Sequence, residues 1–213
     1  MSSVAVIDYG MGNLHSIEKA LQHASPEVEV LITSNVASIE QADRVVFPGV
    51  GAIRDCMQAL NSSGLSAVIK DVSKNKPFLG ICLGMQALLT DSEENDHTDS
   101  LSIINGHVEH FSNNLTDANG DRLKIPHMGW NKVTQKPHPL WDKIPQDSRF
   151  YFVHSYYANP DLEADIIATT DYPQAFASAL AKDNIFAVQF HPEKSQTVGL
   201  QLLKNFLSWD GQS

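Results

Sequence analysis

The chain has 213 residues, 42% of them hydrophobic and 19% charged, with a formal net charge of -10, and this length predicts a single domain over residues 1–213. The acidic balance argues against a nucleic-acid partner, and no apolar run is long enough to cross a membrane. The two cysteines, Cys56 and Cys82, exclude a disulfide framework or a cysteine-rich zinc site, and the lack of a secretion signal predicts a cytoplasmic protein.

The first third of the chain alternates between strand and helix patterns. A continuous apolar run over residues 4–10 predicts a strand buried on both faces of a parallel sheet, and apolar residues at helical spacing predict a helix over Leu14–Ala24. Residues 28–32 and 44–47 predict the next two strands, and two more helix patterns follow, the second of them over residues 65–72. Gly10-Met11-Gly12-Asn13 lacks the rest of a phosphate-binding motif, and we interpret it as a tight turn.

An apolar strand then runs into a helix at Cys82, and the helix pattern continues to Leu89. Gly80 and Gly84 flank the cysteine, as a sharp turn requires when its central side chain points outward. The helix N-terminus favours a thiolate, and the N–H of Leu83 would face the oxyanion that forms when this thiolate attacks a carbonyl. The alternative is a buried, inert cysteine at a strand end.

Two other segments are candidates for the same site. Pro48-Gly49-Val50-Gly51 follows a strand of the same predicted sheet, so the backbone at Val50 and Gly51 could present a second N–H to the oxyanion. A loop selected only for its turn geometry is the alternative. The acidic residues 91–96 predict a flexible surface loop, in which Glu94 is the candidate to meet the ammonium group of an amino-acid substrate.

The second half of the chain changes to strands and turns. We predict strands over residues 107–111, 131–134, 150–153, 166–169, 176–181 and 185–190, with a hairpin turn at 182–184. A helix over residues 197–209 closes the chain, and the polar segment 112–121 is predicted to be disordered. The pattern therefore indicates an α/β protein whose parallel sheet is continued or covered by antiparallel strands.

His191-Pro192-Glu193 supplies the remaining parts of a nucleophilic site. The proline holds the backbone of the histidine extended, and a carboxylate follows two residues after the ring. His191 could transfer the proton while Glu193 orients the imidazole for Cys82. Taken alone, the motif is more typical of a turn at the end of a strand. The other histidines lack the clustered partners that a metal site needs.

Together these motifs resemble those of the class I, or triad, glutamine amidotransferases. The resemblance lies in Pro48-Gly49-Val50-Gly51, residues 80–86 and His191-Pro192-Glu193, in that order. Residues 8–14, 126–131 and 152–157 more narrowly resemble the glutaminase subunits of imidazole glycerol phosphate synthase, so the resemblance spans essentially the whole chain. It implies a flavodoxin-like fold with a central, mostly parallel sheet, flanking helices and additional antiparallel strands in the C-terminal half.

The resemblance also implies an activity. Cys82, His191 and Glu193 would hydrolyse glutamine to glutamate and ammonia through a cysteine thioester, without a metal or cofactor. The oxyanion residues implied in this way are Val50, Gly51 and Leu83. The implied glutamine-binding residues are Gln86, Glu94, Ser155 and Tyr156.

A partner is implied as well. In this family the ammonia passes to a (β/α)8-barrel cyclase, which makes imidazole glycerol phosphate and aminoimidazole carboxamide ribotide, and the two chains form a heterodimer. Met128-Gly129-Trp130 is predicted on a turn, where the exposed aromatic side chain of Trp130 would contact this partner. The alternative is that Trp130 is buried in the core. The candidate interface residues are His127, Met128, Gly129, Trp130, Asn131 and Lys194.

Three other functions stay open at this point. The chain could serve another amidotransferase, for vitamin B6 or anthranilate synthesis, which copurification of a different synthase would indicate. It could be a non-catalytic binding module, in which a glutamine-like affinity reagent would leave Cys82 unmodified. It could also be a cysteine peptidase, which would cleave peptides without any partner.

Overall fold

The computed structural model describes residues 2–112, 116, 120–122 and 124–212. Its strands are β1 (Ser3–Ile7), β2 (Glu29–Thr33), β3 (Arg44–Gly49), β4 (Phe78–Cys82), β5 (Asp91–Ser92), β6 (Thr98–Asp99), β7 (Gly106–His110), β8 (His127–Lys132), β9 (Thr134–Gln135), β10 (Arg149–His154), β11 (Tyr156–Pro160), β12 (Ile166–Tyr172), β13 (Gln174–Lys182) and β14 (Ile185–Val188). Its helices are α1 (Leu14–Ala24), α2 (Val36–Gln41), α3 (Ile53–Ser63), α4 (Leu65–Val72), α5 (Leu83–Gln86) and α6 (Gln196–Ser208), and Pro192–Lys194 forms a 3-10 turn.

Parallel strands form the half of the sheet that carries the candidate site, in the order β2-β1-β3-β4-β14. Successive side chains of a strand point to opposite faces, and β1 shows this directly. Ala5 and Ile7 pack in one core with residues of α2, α3 and α4, whereas Val4 and Val6 pack in the other with residues of α1 and α6. The predicted strand buried on both faces is therefore confirmed.

The C-terminal half is mixed, as predicted. β13 pairs antiparallel with β14, β12 and β11, and β8 pairs antiparallel with β10 in a separate two-stranded sheet. The predicted hairpin turn is confirmed, because Lys182 lies opposite Ile185 and Asp183 adopts a positive φ of 53°. Among the described residues, no helix is both long and apolar enough to cross a lipid bilayer.

The helix after Cys82 is shorter than predicted. α5 ends at Gln86 rather than Leu89. The N–H groups of Leu88 and Leu89 bond to the carbonyls three residues earlier, at 3.1 Å each, so the α-helix tightens into 3-10-type bonds after Gln86. Leu88 O then accepts hydrogen bonds from the N–H groups of residues 103 and 104, at 2.9 Å each, so a tertiary contact directly follows the helix.

Trp130 lies on a strand, and its prediction on a turn was wrong. β8 begins four residues before the predicted 131–134 segment, because His127 to Lys132 pair in register with β10. The alternative of a core tryptophan was also wrong, since Trp130 is 40% exposed.

Sequence patterns missed the short elements α2, β5, β6, β9 and β11. The acidic loop predicted at residues 91–96 begins with one of them, β5. Most of the predicted disordered segment 112–121 lies outside the described residues.

Candidate active site

Cys82 stands at the corner between β4 and α5. Its backbone is strained, with φ 54° and ψ -111°, and its side chain is 7% exposed. A non-glycine residue adopts such a conformation only where the surrounding structure imposes it, and it is typical of a nucleophile held on a sharp strand-to-helix turn. The sequence prediction of a corner at this position is thus confirmed.

Two glycines let β3 approach this corner closely. A Cβ on Gly84 would lie 2.0 Å from the backbone oxygen of Phe47, and a Cβ on Gly49 would lie 2.8 Å from Cβ of Leu83. Gly49 also pairs in register with Cys82. The loop over Val50 and Gly51 consequently begins beside Cys82, and Gly51 has a φ of 97° that favours glycine.

His191 and Glu193 form a buried pair just beyond β14. Nδ1 of His191 lies 2.8 Å from Oε1 of Glu193, and the two side chains are 2% and 1% exposed. Burial on its own lowers the pKa of His191, but its interactions with Cys82 and Glu193 outweigh that effect and raise the pKa to about 9. Nε2 of His191 is buried without a hydrogen-bond partner among the described residues, so it is available to a reacting group.

A cavity of about 310 Å³ opens in front of Cys82 and His191. It lies at the C-terminal edge of the parallel strands, where ligands of open α/β sheets bind. The other candidate residues that line it are Val50, Gly51, Leu83, Gln86, Glu94, Ser155, Tyr156 and Lys194.

Glu94 and Gln86 already have partners inside the protein. Oε2 of Glu94 accepts a hydrogen bond from the backbone N–H of Ile53 at 2.9 Å, at the start of α3. Nε2 of Gln86 donates to the backbone oxygen of Tyr156 at 2.9 Å and to Oε1 of Gln189 at 3.0 Å. These bonds hold both side chains at the wall of the cavity.

Sequence reasoning missed two residues of this site. Gln189 is fully buried, and its Nε2 donates to the sulfur of Cys82 at 3.7 Å. The sequence feature that could have indicated Gln189 is a polar side chain within the apolar run of the last strand. Tyr9 is the second, since its hydroxyl donates to the backbone oxygen of Pro48 at 2.9 Å and so supports the loop that leads to Gly51.

A pair of buried histidines lies at the cavity, with His154 in its lining and His127 behind it. Nδ1 of His127 is 3.0 Å from Nε2 of His154, and Nδ1 of His154 is 2.7 Å from the backbone oxygen of Tyr156. Burial lowers the pKa of His127 to about 4 and that of His154 to about 3. Both rings are therefore neutral at physiological pH, and His127, at 3% exposed, does not reach the surface where its interface role was predicted.

This pair predicts a loss of stability in acid. The two histidines bind protons at about pH 6.5 when unfolded but only near pH 4 or below when folded, so protons stabilise the unfolded state as the pH falls below 6.5. Each histidine lowers the free energy of unfolding by up to about 1.4 kcal/mol per pH unit. We expect urea unfolding of His127→Gln to show a shallower decline between pH 6.5 and 4 than the unsubstituted protein. Parallel pH profiles would contradict this assignment.

The surface beside the cavity is apolar and exposed. Along β8 the side chains alternate, with Met128 and Trp130 outward at 61% and 40% exposed. The ring of Trp130 packs edge-on against Tyr151 at 6.1 Å between centroids, and Nζ of Lys194 lies 6.0 Å from the same tyrosine ring. We call Met128, Trp130, Tyr151 and Lys194 the apolar face. Exposed large side chains of this kind mark interaction surfaces.

The site has the parts of a cysteine nucleophile with an imidazole base and an orienting carboxylate. Such a site forms a thioester with a carbonyl substrate and then hydrolyses it. Among the described residues, no group of three or more histidine, cysteine, aspartate or glutamate side chains could hold a metal ion.

Comparison with known proteins agrees with this chemistry. The family model "Glutamine amidotransferase class-I" matches residues 5–209. The chain is 61% identical over 212 residues to the imidazole glycerol phosphate synthase subunit HisH of Methylococcus capsulatus, covering 99% of this chain and 98% of that protein. It is 59% identical over 214 residues to the HisH subunit of Nitrosococcus oceani, with both chains fully covered.

Solved structures share the fold at low sequence identity. A putative GMP synthase subunit from Thermoplasma acidophilum has a TM-score of 0.69 at 21% identity, covering 98% of this chain and 93% of that one. A structure described as a glutamine amidotransferase has a TM-score of 0.71 at 15% identity, covering 96% and 97%. With a family model that spans nearly the whole chain, this protein belongs to the class I glutamine amidotransferases.

Proposed function

We propose that this chain is the glutaminase subunit of an imidazole glycerol phosphate synthase. The observation that carries the proposal is the common cavity of Cys82 and His191, with Glu193 bonded behind the imidazole. The choice of pathway rests on the full-length relatives, which are named as subunits of that synthase.

In the proposed reaction, the sulfur of Cys82 attacks the side-chain amide carbon of glutamine. The C–N bond then breaks, and the departing nitrogen leaves as ammonia with a proton from His191. The γ-glutamyl thioester remains on the sulfur. Water attacks this thioester while His191 accepts its proton, the C–S bond breaks, and glutamate is released. Glu193 stabilises the imidazolium at the step where His191 is charged.

The remaining cavity residues bind the substrate in this proposal. Backbone N–H groups of Gly51 and Leu83, with the loop at Val50, stabilise the oxyanion. The carboxylate of Glu94 meets the α-ammonium group of glutamine. Gln86 and the backbone at Ser155 and Tyr156 contact the amino-acid end of the substrate.

The partner in this proposal is a (β/α)8-barrel cyclase that forms a heterodimer with this chain in the cytoplasm. It docks on the apolar face, with Gly129 and Asn131 at its margin and His127 supporting β8 from behind. The exposed rings and the adjacent cavity favour this orientation, because ammonia then leaves toward the covered surface. The cyclase would use the ammonia to make imidazole glycerol phosphate and aminoimidazole carboxamide ribotide.

Trp130→Ala tests the docking surface. Trp130 is half exposed, so its loss should leave the fold intact but raise the Kd for the cyclase by about 30-fold, the effect of a central aromatic anchor. Titration calorimetry measures the affinity. Leu162→Ala is the matched control, because Leu162 is 59% exposed but follows the far end of β11. Equal affinities for all three proteins would contradict docking at this face.

Glutamate release by this chain, with and without a barrel cyclase and its nucleotide ligand, tests the proposed function. We expect a low rate for the chain alone and a large increase in the complex, because uncoupled hydrolysis would waste glutamine. The loop at Val50 and Gly51 is the proposed two-state element that the partner shifts. Equal rates in both conditions would refute the coupling, and no glutamate release in either would refute the function.

A further inference from the structure

We propose that Gln189 is a further catalytic residue, whose side-chain N–H donates a hydrogen bond to the sulfur of Cys82 and stabilises it as the attacking thiolate. The inference rests on the proposed glutaminase function and adds a residue to the same site. Gln189 is fully buried directly after β14, and its Nε2 lies 3.7 Å from the sulfur. The backbone N–H of Gln189 donates to Ser178 O at 2.9 Å, which holds the residue beside the sheet.

The neighbouring bonds determine which end of the Gln189 amide faces the sulfur. The backbone oxygen of Tyr156 can only accept, so the end of Gln86 that meets it at 2.9 Å must be the NH₂ group. The same NH₂ group lies 3.0 Å from the Gln189 amide, which must therefore present its oxygen there. The NH₂ group of Gln189 is left to point at Cys82. One backbone carbonyl thus sets the orientation of two amides.

The same carbonyl also sets the buried histidines. Nδ1 of His154 lies 2.7 Å from Tyr156 O and must carry the proton, so Nε2 of His154 is an acceptor. Nδ1 of His127, 3.0 Å away, is then the donor, and its Nε2 accepts from Asn131 at 3.3 Å. Every group in this series of hydrogen bonds has a defined donor or acceptor role. Gln86 is therefore the residue that positions Gln189, whereas the two histidines only share the Tyr156 carbonyl with it.

Other titratable groups also lie near the sulfur. His191 and Glu193 follow β14, Tyr9 follows β1, and the remaining titratable side chains of the cavity lining are Glu94, His154, Tyr156 and Lys194. A neutral N–H donor stabilises negative charge on sulfur without itself taking part in the proton transfers of His191. Its hydrogen bond is strongest when the acceptor is charged, so it favours the thiolate over the thiol.

Alkylation of Cys82 by iodoacetamide as a function of pH tests the proposal without glutamine. Gln189→Met removes the donor at similar volume, and we expect the midpoint of the alkylation profile to rise by about one to two pH units. Gln189→Glu keeps an acceptor for Gln86 but faces the sulfur with a carboxylate, so its midpoint should rise at least as far. At pH 7, kcat/KM for glutamine in the cyclase complex should fall at least about tenfold in both variants.

Gln41→Met is the matched control, since Gln41 is exposed at the end of α2 and should leave the midpoint unchanged. Peptide mapping separates Cys82 from Cys56, which is fully buried and whose pKa burial raises to about 11. Thermal unfolding establishes which variants fold. A folded Gln189 variant with the original midpoint overturns the proposal. A chain that never hydrolyses glutamine would instead overturn the proposed function, while the alkylation profile would still report on the Gln189 bond.

Discussion

Cys82→Ala is expected to abolish the use of glutamine while leaving the cyclase complex able to use ammonium salts. In the proposed mechanism the sulfur of Cys82 is the nucleophile, and no other described residue of the cavity lining carries a thiol, so the glutamine-dependent rate should fall by at least about 10⁴-fold. Ammonium salts bypass this step because they supply ammonia directly to the partner. Product formation from each nitrogen source, measured on the same complex, checks the result.

The second cysteine offers a matched control. Cys56 is fully buried on α3 and packs in the core with Tyr9 and Phe47, away from the cavity lining. Cys56→Ala should therefore keep glutamine-dependent activity. Loss of activity with both nitrogen sources in Cys82→Ala would mean that the substitution damages folding or docking, and retained glutamine use would exclude Cys82 as the nucleophile.

Gly84→Ala is expected to destabilise the protein by about 3 kcal/mol and to inactivate it. Within a helix this substitution ordinarily stabilises by up to about 1 kcal/mol, but here the sign reverses. The added Cβ would lie 2.0 Å from the backbone oxygen of Phe47, and a strand backbone cannot rotate away as a side chain can. Separation of β3 from the corner would also displace the N–H groups of Gly51 and Leu83 from the oxyanion that they are proposed to bind.

Thermal unfolding measures this effect, which should appear as a fall in Tm of about 6–12 °C. Gly10→Ala is the control, because it measures the cost of placing alanine at a positive φ without any steric clash of the added Cβ. Gly10 has a φ of 86° but no atom within 4 Å of an added Cβ, so its substitution should cost only about 1 kcal/mol. A Gly84→Ala protein as stable as Gly10→Ala, and active, would contradict the close approach of β3 to Cys82.

Periodicity predicted the elements that pack by their own side-chain pattern. α1 and α4 have the predicted bounds, and the apolar strands of the parallel sheet lie within a few residues of theirs. Their burial follows from a continuous apolar run or from helical spacing within the segment itself. β11 and α5 behave differently. β11 carries few strongly apolar residues, and α5 ends where Leu88 O accepts N–H groups from residues 103 and 104. These outcomes depend on segments that are distant in the chain.

The residues of the candidate site fall into the same two groups, those recognisable from a local motif and those recognisable only from the tertiary structure. Cys82, His191 and Glu193 could be named from the motifs because each motif carries its own local geometry: a corner with flanking glycines, and a histidine with a carboxylate two residues later. Gln189 and Tyr9 carry no such motif. Their roles appear only when β14 and β1 are set beside β4, which brings a buried amide to the sulfur and a hydroxyl to Pro48 O.

The amino-acid sequence by itself determined the α/β class, the corner at Cys82 and the pairing of His191 with Glu193, because these depend on side chains close together in the chain. Only the tertiary structure decided that Trp130 is exposed on β8, that His127 is buried behind it, and which way the Gln189 amide points. The physical reason is that burial and hydrogen-bond partners across a sheet are set by strand order and register, which local periodicity does not specify.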